Sequence, residues 1–402
     1  MPISERATVR ASVGASESFD TVEAAAEAAD RARAGLGSGC DLAVVFASSH
    51  HLSMAKWLLS EVHERLEPRA LIGCGAGGTI AAGRELEEGP GIAVWAASLP
   101  GARLETMHVT AERDSDGFRL LGLPEPLAEL TAAERGTDES VIALCDPFSF
   151  PAEELLAALE RSRPHMPVLG GLASASFAGG AVLLRDGEVH AEGAVAVALG
   201  GIEILPCVSQ GAGPVGPEMT ITKAEANLIG ELAGKPAMER LGEVIAALPE
   251  DERELAAAGV LIGLVIDENR PEYERGDFLV RPIIGADRDS GAIAIGERVR
   301  VGQTVRLHVR DAASADEDLR RALRAQAQAL GPDGAAGALL FTCNGRGSHM
   351  FDLPDHDAAA LEDSLGAPTA GFFCAGEIGP VGGRNFLHGF TATMAVFPAL
   401  LG

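Results

Sequence analysis

Leu42-Ala43-Val44-Val45-Phe46-Ala47-Ser48 is an unbroken apolar run that stops at a hydroxyl, and the sequence repeats the pattern twice. The counterparts are Val141-Ile142-Ala143-Leu144-Cys145-Asp146 and Ala338-Leu339-Leu340-Phe341-Thr342-Cys343-Asn344. Short runs that are apolar at every position read as strands covered on both faces. Each leads into a stretch with apolar spacings of three and four, at 52–66, 152–163 and 356–365, which is the period of an amphipathic helix. A second short run then opens into small residues: Leu71-Ile72-Gly73-Cys74-Gly75, Val168-Leu169-Gly170-Gly171-Leu172 and Gly371-Phe372-Phe373-Cys374-Ala375-Gly376. A turn-rich hairpin follows, and then a last strand at 91–98, 193–199 and 390–397.

Upstream the match continues, with strands expected at 7–15, 105–112 and 304–311 and helices at 20–34, 125–135 and 315–330. Three copies in one order are a repeat rather than chance. The expected fold class is α/β of the mixed α+β kind. Mixed, partly antiparallel sheets flanked by helices are built from repeated β-α-β-α-β-β units in two halves, and an α-β-β-α layering is one arrangement these elements allow. The halves are expected at 1–208, holding two units, and 209–402, holding a linking segment and the third unit. Gly211, Gly213, Pro214, Gly216 and Pro217 mark the boundary. The linking segment carries strands at 219–222, 260–267, 278–284 and 292–295 and helices at 236–248 and 251–258.

Composition narrows the function. Fifty-eight acids against 32 bases give −26, a field that repels a phosphate backbone or an anionic membrane surface. Aromatics are 4%, too few for a base-stacking platform. No signal core opens the chain and no run reaches the ~18 apolar residues of a membrane span. The six cysteines, at 40, 74, 145, 207, 343 and 374, show no C-x-x-C pair, so they read as small buried residues in a reducing compartment. A cytoplasmic protein with no nucleic-acid or membrane partner is expected.

Gly73-x-Gly75-x-x-Gly78 matches the dinucleotide fingerprint by letter. Its mechanism needs a helix to start there, whereas Gly83, Gly89, Pro90 and Gly91 spell a hairpin, so the glycines read as packing. Polar chemistry concentrates in Asn344-Gly345-Arg346-Gly347-Ser348-His349 and in 376–388, which holds Glu377, Arg384, Asn385 and His388. If both loops leave one sheet edge, Arg346 and Arg384 suit a carboxylate, Glu377 an ammonium, and Asn344, Asn385 and His388 complete the hydrogen bonds of an amino-acid-like ligand. The same residues also suit an ion-pair network bracing the loops. Cys343 beside His349 or His388 suggests a nucleophile–base pair, although cysteines ending corresponding strands suit packing. His50-His51, after a strand end, offers an imidazole for a metal or haem iron.

The motifs resemble the FIST family. Residues 41–49, 71–78 and 167–176 are similar to its N-terminal half. Val208-Ser209-Gln210-Gly211, Ile221-Thr222-Lys223-Ala224-Glu225 and Gly234-Lys235-Pro236-Ala237 resemble the junction. Arg281-Pro282-Ile283-Ile284-Gly285, Gly302-Gln303-Thr304-Val305-Arg306, Cys343-Asn344-Gly345-Arg346-Gly347 and Gly376-Glu377-Ile378-Gly379-Pro380 resemble its C-terminal half. The resemblance implies a non-enzymatic, small-molecule-binding sensory protein of bacterial signal transduction. Its ligand would be an amino acid or related small carboxylate, and it would signal to a separate protein in trans, with no cofactor. Some relatives imply an alternative, a haem-binding nitric oxide sensor regulating a histidine kinase, with His50, His51 or His388 as axial ligand. An enzyme using Cys343 or Glu377 is a further alternative. Because the two halves nearly fill the chain, a stand-alone sensor is expected.

Overall fold

A computed structural model describes residues 8–37, 39–115, 117–124, 127, 139–177, 180–273 and 275–400. The chain forms two compact units, one of residues 1–208 with 319–402 and the other of residues 209–318. The units therefore divide the chain differently from its two sequence halves: the third repeat copy packs with the first two, and the presumed linking segment is a unit of its own.

In the first unit each copy owns a sheet. The first sheet runs Arg10–Ser16, Ile92–Ser98, Leu42–Ser48, Ala70–Ala76, Leu183–Arg185, Glu188–His190. The second runs Arg384–His388, Glu377–Val381, Val168–Leu172, Glu139–Cys145, Ala194–Gly200, Arg103–Asp114, Gly117–Leu121. In the third, Thr391–Pro398, Ala335–Cys343, Thr369–Cys374, Thr79–Ala81 and Arg84–Leu86 are neighbours. Each sheet is centred on a parallel pair: Val45 faces Gly73, Ala143 faces Gly170, and Leu340 faces Gly371. The mixed sheets agree with the expected fold class, but three sheets replace a two-sheet layering. Their inner faces share one core, with Phe46, Ile72 and Trp95 from the first, Ile142, Leu169 and Val197 from the second, and Phe341, Phe372 and Phe397 from the third.

The outer faces take the helices. Thr21–Leu36 starts where Asp20 Oδ1 accepts from Val22 N and Glu23 N (2.9 and 3.0 Å) and stops at Gly37 in the left-handed region. Its buried stripe is Ala24, Ala25, Ala28, Ala29 and Ala32, small enough to lie on Gly14, where a β-carbon would come within 2.0 Å of Ala28 O. Ala55–Leu66 covers the same sheet, Ala152–Ser162 the second and His356–Leu365 the third. The helix expected at 125–135 lies outside the described residues, apart from Leu127.

The hairpins are exchanged in a ring. That of the first copy pairs with the third sheet (Thr79 opposite Phe372) and that of the second with the first sheet (Leu183 opposite Cys74). That of the third pairs with the second sheet (Glu377 opposite Gly171). Thr304–Arg310, expected to open the third copy, belongs instead to the second unit. Leu205–Gln210, which starts in the first unit, holds the edge beside Thr391–Pro398. The second unit is thus an insertion within the third copy, and the chain returns to the first unit at Leu319, inside the helix Ala312–Leu330.

In the second unit, Ala212–Glu225, Thr304–Arg310, Val260–Val265, Phe278–Asp287, Ala292–Ile295 and Leu228–Leu232 pair in that order. Ala212–Glu225 also pairs with Leu228–Leu232, which closes the sheet into an antiparallel barrel. Of the glycines and prolines expected to form a boundary, Gly211 separates Leu205–Gln210 from Ala212–Glu225, whereas Gly213, Pro214, Gly216 and Pro217 lie inside the latter, where the register shifts between Val215 and Met219 and Gly216 has φ 62°. Those inside bend a strand rather than end one.

Candidate functional site

The carboxyl ends of the three parallel pairs meet. Ser174 N and Ala175 N donate to Gly75 O, Leu172 N donates to Gly376 O, and Phe373 N donates to Gly78 O. Gly77 N donates to Ser174 Oγ at 2.7 Å, and that hydroxyl donates to Phe373 O. Asn344 joins this junction, since a β-carbon on Gly77 would lie 3.6 Å from its Oδ1. Gly77, Asn344 and Ala375 are exposed there. The small residues keep the rim low enough for backbone groups to meet a ligand.

Under this rim the third copy buries a polar cluster. Arg346, 1% exposed, donates from Nε to Asp357 Oδ2 (2.7 Å) and from Nη2 to Asp357 Oδ1 (2.8 Å). Thr342 Oγ1 donates to Asp357 Oδ2 at 2.7 Å, and His356 Nδ1 lies 2.9 Å from Oδ1. Burial alone would raise the Asp357 carboxyl, but the guanidinium reverses that and holds it well below the usual range. The His356 and Phe351 rings stack, and the Arg346 guanidinium carbon lies 5.0 Å from the Phe351 ring centre. Glu85, on the hairpin from the first copy, accepts from Asp357 N and Ala358 N (both 2.9 Å) at the start of His356–Leu365. Burial and the nearby Asp357 push its carboxyl up to about 7.

Glu377 is wholly buried. Its Oε2 accepts from Thr391 N (3.0 Å) and Thr391 Oγ1 (2.8 Å), while among the described residues Oε1 has no hydrogen-bond acceptor or donor within geometric reach. Burial pushes this carboxyl up to about 8, outweighing the Thr391 hydrogen bonds, the Arg346 charge and a Cys343 hydrogen bond, which all lower it. Arg346 Nη1 likewise has no partner. Cys343, half-buried, lies in the field of both groups, and burial pushes its thiol up to about 12. At neutral pH that sulfur is a thiol and a poor nucleophile. The repeat shows how specialised this corner is. Where the third copy has Glu377, the first has Thr79 and the second Leu183; where it has Thr391, the others have Gly91 and Gly193.

The other expected residues do not join it. Glu377 pairs with His388 at one end of the hairpin and Val381 with Arg384 at the other. Arg384 is exposed and lies over the Phe386 ring, 5.5 Å from its centre. Asn385 Oδ1 accepts from Val168 N (2.9 Å) and its Nδ2 donates to Met166 O (2.8 Å), so it braces the hairpin. Proximity in sequence grouped these residues, and the extended hairpin separates them. His388 is buried with Nε2 2.9 Å from Gly379 O, and His349 is exposed.

The histidines do not fit a haem. His51 is wholly buried rather than exposed, with Nδ1 3.0 Å from Thr21 Oγ1 beside the alanine-rich helix. His50 is exposed and edge-on to Phe19, and the His388 ring is committed to its own hairpin. Among the described residues no group of three or more His, Cys, Asp or Glu side chains is placed to hold a metal ion.

Asp357, Thr342, His356, Thr391 and Glu85 are absent from the sequence-based expectation. Asp357 begins a helix the periodicity locates, yet nothing local distinguishes it among 58 acids. Glu85 arrives from another copy through the hairpin exchange, which leaves no sequence signal.

Residues 41–235 match the FIST N domain and residues 237–380 the FIST C domain. An uncharacterized protein of Mycobacterium tuberculosis, Rv0628c, is 46% identical over 393 residues, covering 97% of this chain and 100% of the relative. An uncharacterized protein of Mycobacterium bovis, Mb0898c, is 42% identical over 392 residues, covering 97% and 99%. Two domain matches that span the repeat and the inserted barrel, with relatives aligned end to end, make this chain a member of the FIST family, whose domains are associated with sensing in signal transduction.

Proposed function

We propose that this protein is a cytoplasmic small-molecule sensor whose ligand, an amino acid or related small carboxylate, enters at Asn344 and reaches the Arg346–Glu377 cluster. The output passes to a separate signalling protein in trans. One observation carries the reading: two buried polar groups, Arg346 and Glu377, each keep an atom without a hydrogen-bond partner among the described residues, beneath a rim of small residues. Buried polar atoms are nearly always satisfied, so the exceptions are where a ligand gains most. Among the described residues no helix is long and apolar enough to cross a membrane.

Ligand that binds only the folded state at ~100 times its dissociation constant adds about 2.7 kcal/mol. A thermal-shift screen against amino acids and small carboxylates is expected to give a selective rise in Tm that weakens in Asn344→Ala, an exposed position whose loss spares the fold. Flat melting curves across the screen would remove the sensor reading from this site.

A further inference from the structure

The geometry points to a site built for a small oxyanion, a carboxylate group in the simplest case, gripped by two hydrogen-bond donors at once: Glu377 Oε1–H and Arg346 Nη1–H. This rests on the reading above and reverses the role that sequence reasoning gives Glu377, from acceptor of an ammonium to donor.

The assignment follows from which atoms are already used. Arg346 spends Nε and Nη2 on Asp357, so Nη1 is the nitrogen left over. Glu377 Oε2 faces the Thr391 N–H, a group that can only donate, so Oε2 is the carbonyl oxygen and Oε1 the hydroxyl. Both side chains are at least nine-tenths buried. An acid pushed up to about 8 keeps that proton at neutral pH. The groups in its field are Cys343, itself a thiol, Cys374, and Arg346, whose charge Asp357 neutralises; His388 stands opposite on the hairpin. At the Glu377–Arg346 pair both orphan atoms are donors, which an oxygen anion satisfies and a cation does not. Since Arg346 and Asp357 already balance, the anion brings an uncompensated charge, and millimolar affinity is expected. An α-amino acid would bury its carboxylate here and leave its ammonium at the exposed rim beside Asn344.

The test is calorimetry and thermal shift on the full chain with sodium formate and sodium acetate. Sodium chloride at equal ionic strength and methylammonium chloride serve as controls. Formate or acetate should raise Tm at pH 7, with affinity falling about tenfold per pH unit above pH 8 as Oε1–H ionises. Glu377→Gln keeps an N–H donor at that place, so it should bind within a few-fold of wild type and lose the alkaline decline. Glu377→Leu, which removes the donor while filling the space, should lose binding and stay folded. Stabilisation by methylammonium that Glu377→Gln abolishes would overturn the donor role while leaving a ligand site intact. A Glu377→Gln protein that no longer binds carboxylate would overturn it too. No response to any probe would overturn both readings and leave the orphan atoms to water.

Discussion

The two oxygens of Asp357 take a guanidinium, a hydroxyl and an imidazole, and its backbone N–H is held by Glu85. Such a residue is worth most as half of a pair. Removing one partner of a buried ion pair strands the other charge and costs about 3–5 kcal/mol, whereas replacing both by apolar side chains of similar volume can be neutral. Arg346→Ala is therefore expected to lose about 3–5 kcal/mol in urea denaturation, and Arg346→Met with Asp357→Leu to recover most of it. A double variant as unstable as the single one would show that the ion pair is not the energetic unit. The sequence displays Arg346 as chemistry, but its partner eleven residues on is one acid among many. Contact between the two is set by where a helix begins, which periodicity places only to within a turn.

At the scale of elements, the recurring glycine decides how closely the parallel pairs approach. A β-carbon on Gly73 would lie 2.4 Å from Val45 O, on Gly170 1.9 Å from Ala143 O and on Gly371 2.0 Å from Leu340 O. The obstructing atom is backbone each time, so no rotamer change relieves it. Gly371→Ala is expected to cost about 3 kcal/mol or more, beyond the 1–3 kcal/mol of an overpacked core, measured as a shift in urea midpoint at constant m-value. An unchanged midpoint would mean the strands separate freely. These strands were legible because apolar runs bounded by glycine read the same from either side. The destination of the hairpins was not, since short edge strands carry no label for the sheet they join. The cysteines, too, looked equivalent by position, yet register puts Cys74 one residue past its glycine and Cys374 three past its own.

For the molecule as a whole, buried acids and imidazoles set how stability follows pH. Glu377 keeps its proton up to about 8 when folded, while an unfolded glutamate releases it near 4.3. Between those values the unfolded state binds fewer protons, so stability falls as pH rises and levels off above about 8. Glu85 has the same sign and ends near 7. Burial holds His308 down to about 4 and lowers His51. Both oppose this trend below pH 6.5, where the unfolded chain gains protons that the folded one refuses. Asp357, held low, adds loss only in stronger acid. From pH 7 to 8 Glu377 dominates, and urea denaturation should show stability declining there by up to about 1.4 kcal/mol per pH unit. In Glu377→Gln the curve should flatten in that window and keep its acid limb. An identical slope in both proteins would show that the carboxyl is ionised in the fold.

The ring of exchanged hairpins also has a consequence in time. A nascent chain makes 79–86 early, long before the sheet that receives it exists. Of the three sheets the second waits longest: its edge at Val168–Leu172 is covered by residues 377–381, made about 200 residues later. Until then every partial chain carries an open strand edge or an unhoused hairpin, the kind of surface that pairs with a neighbour. The hazard for this protein is greatest until residues 377–381 emerge, and a ribosome stalled short of them would be as damaging to it as a core mutation.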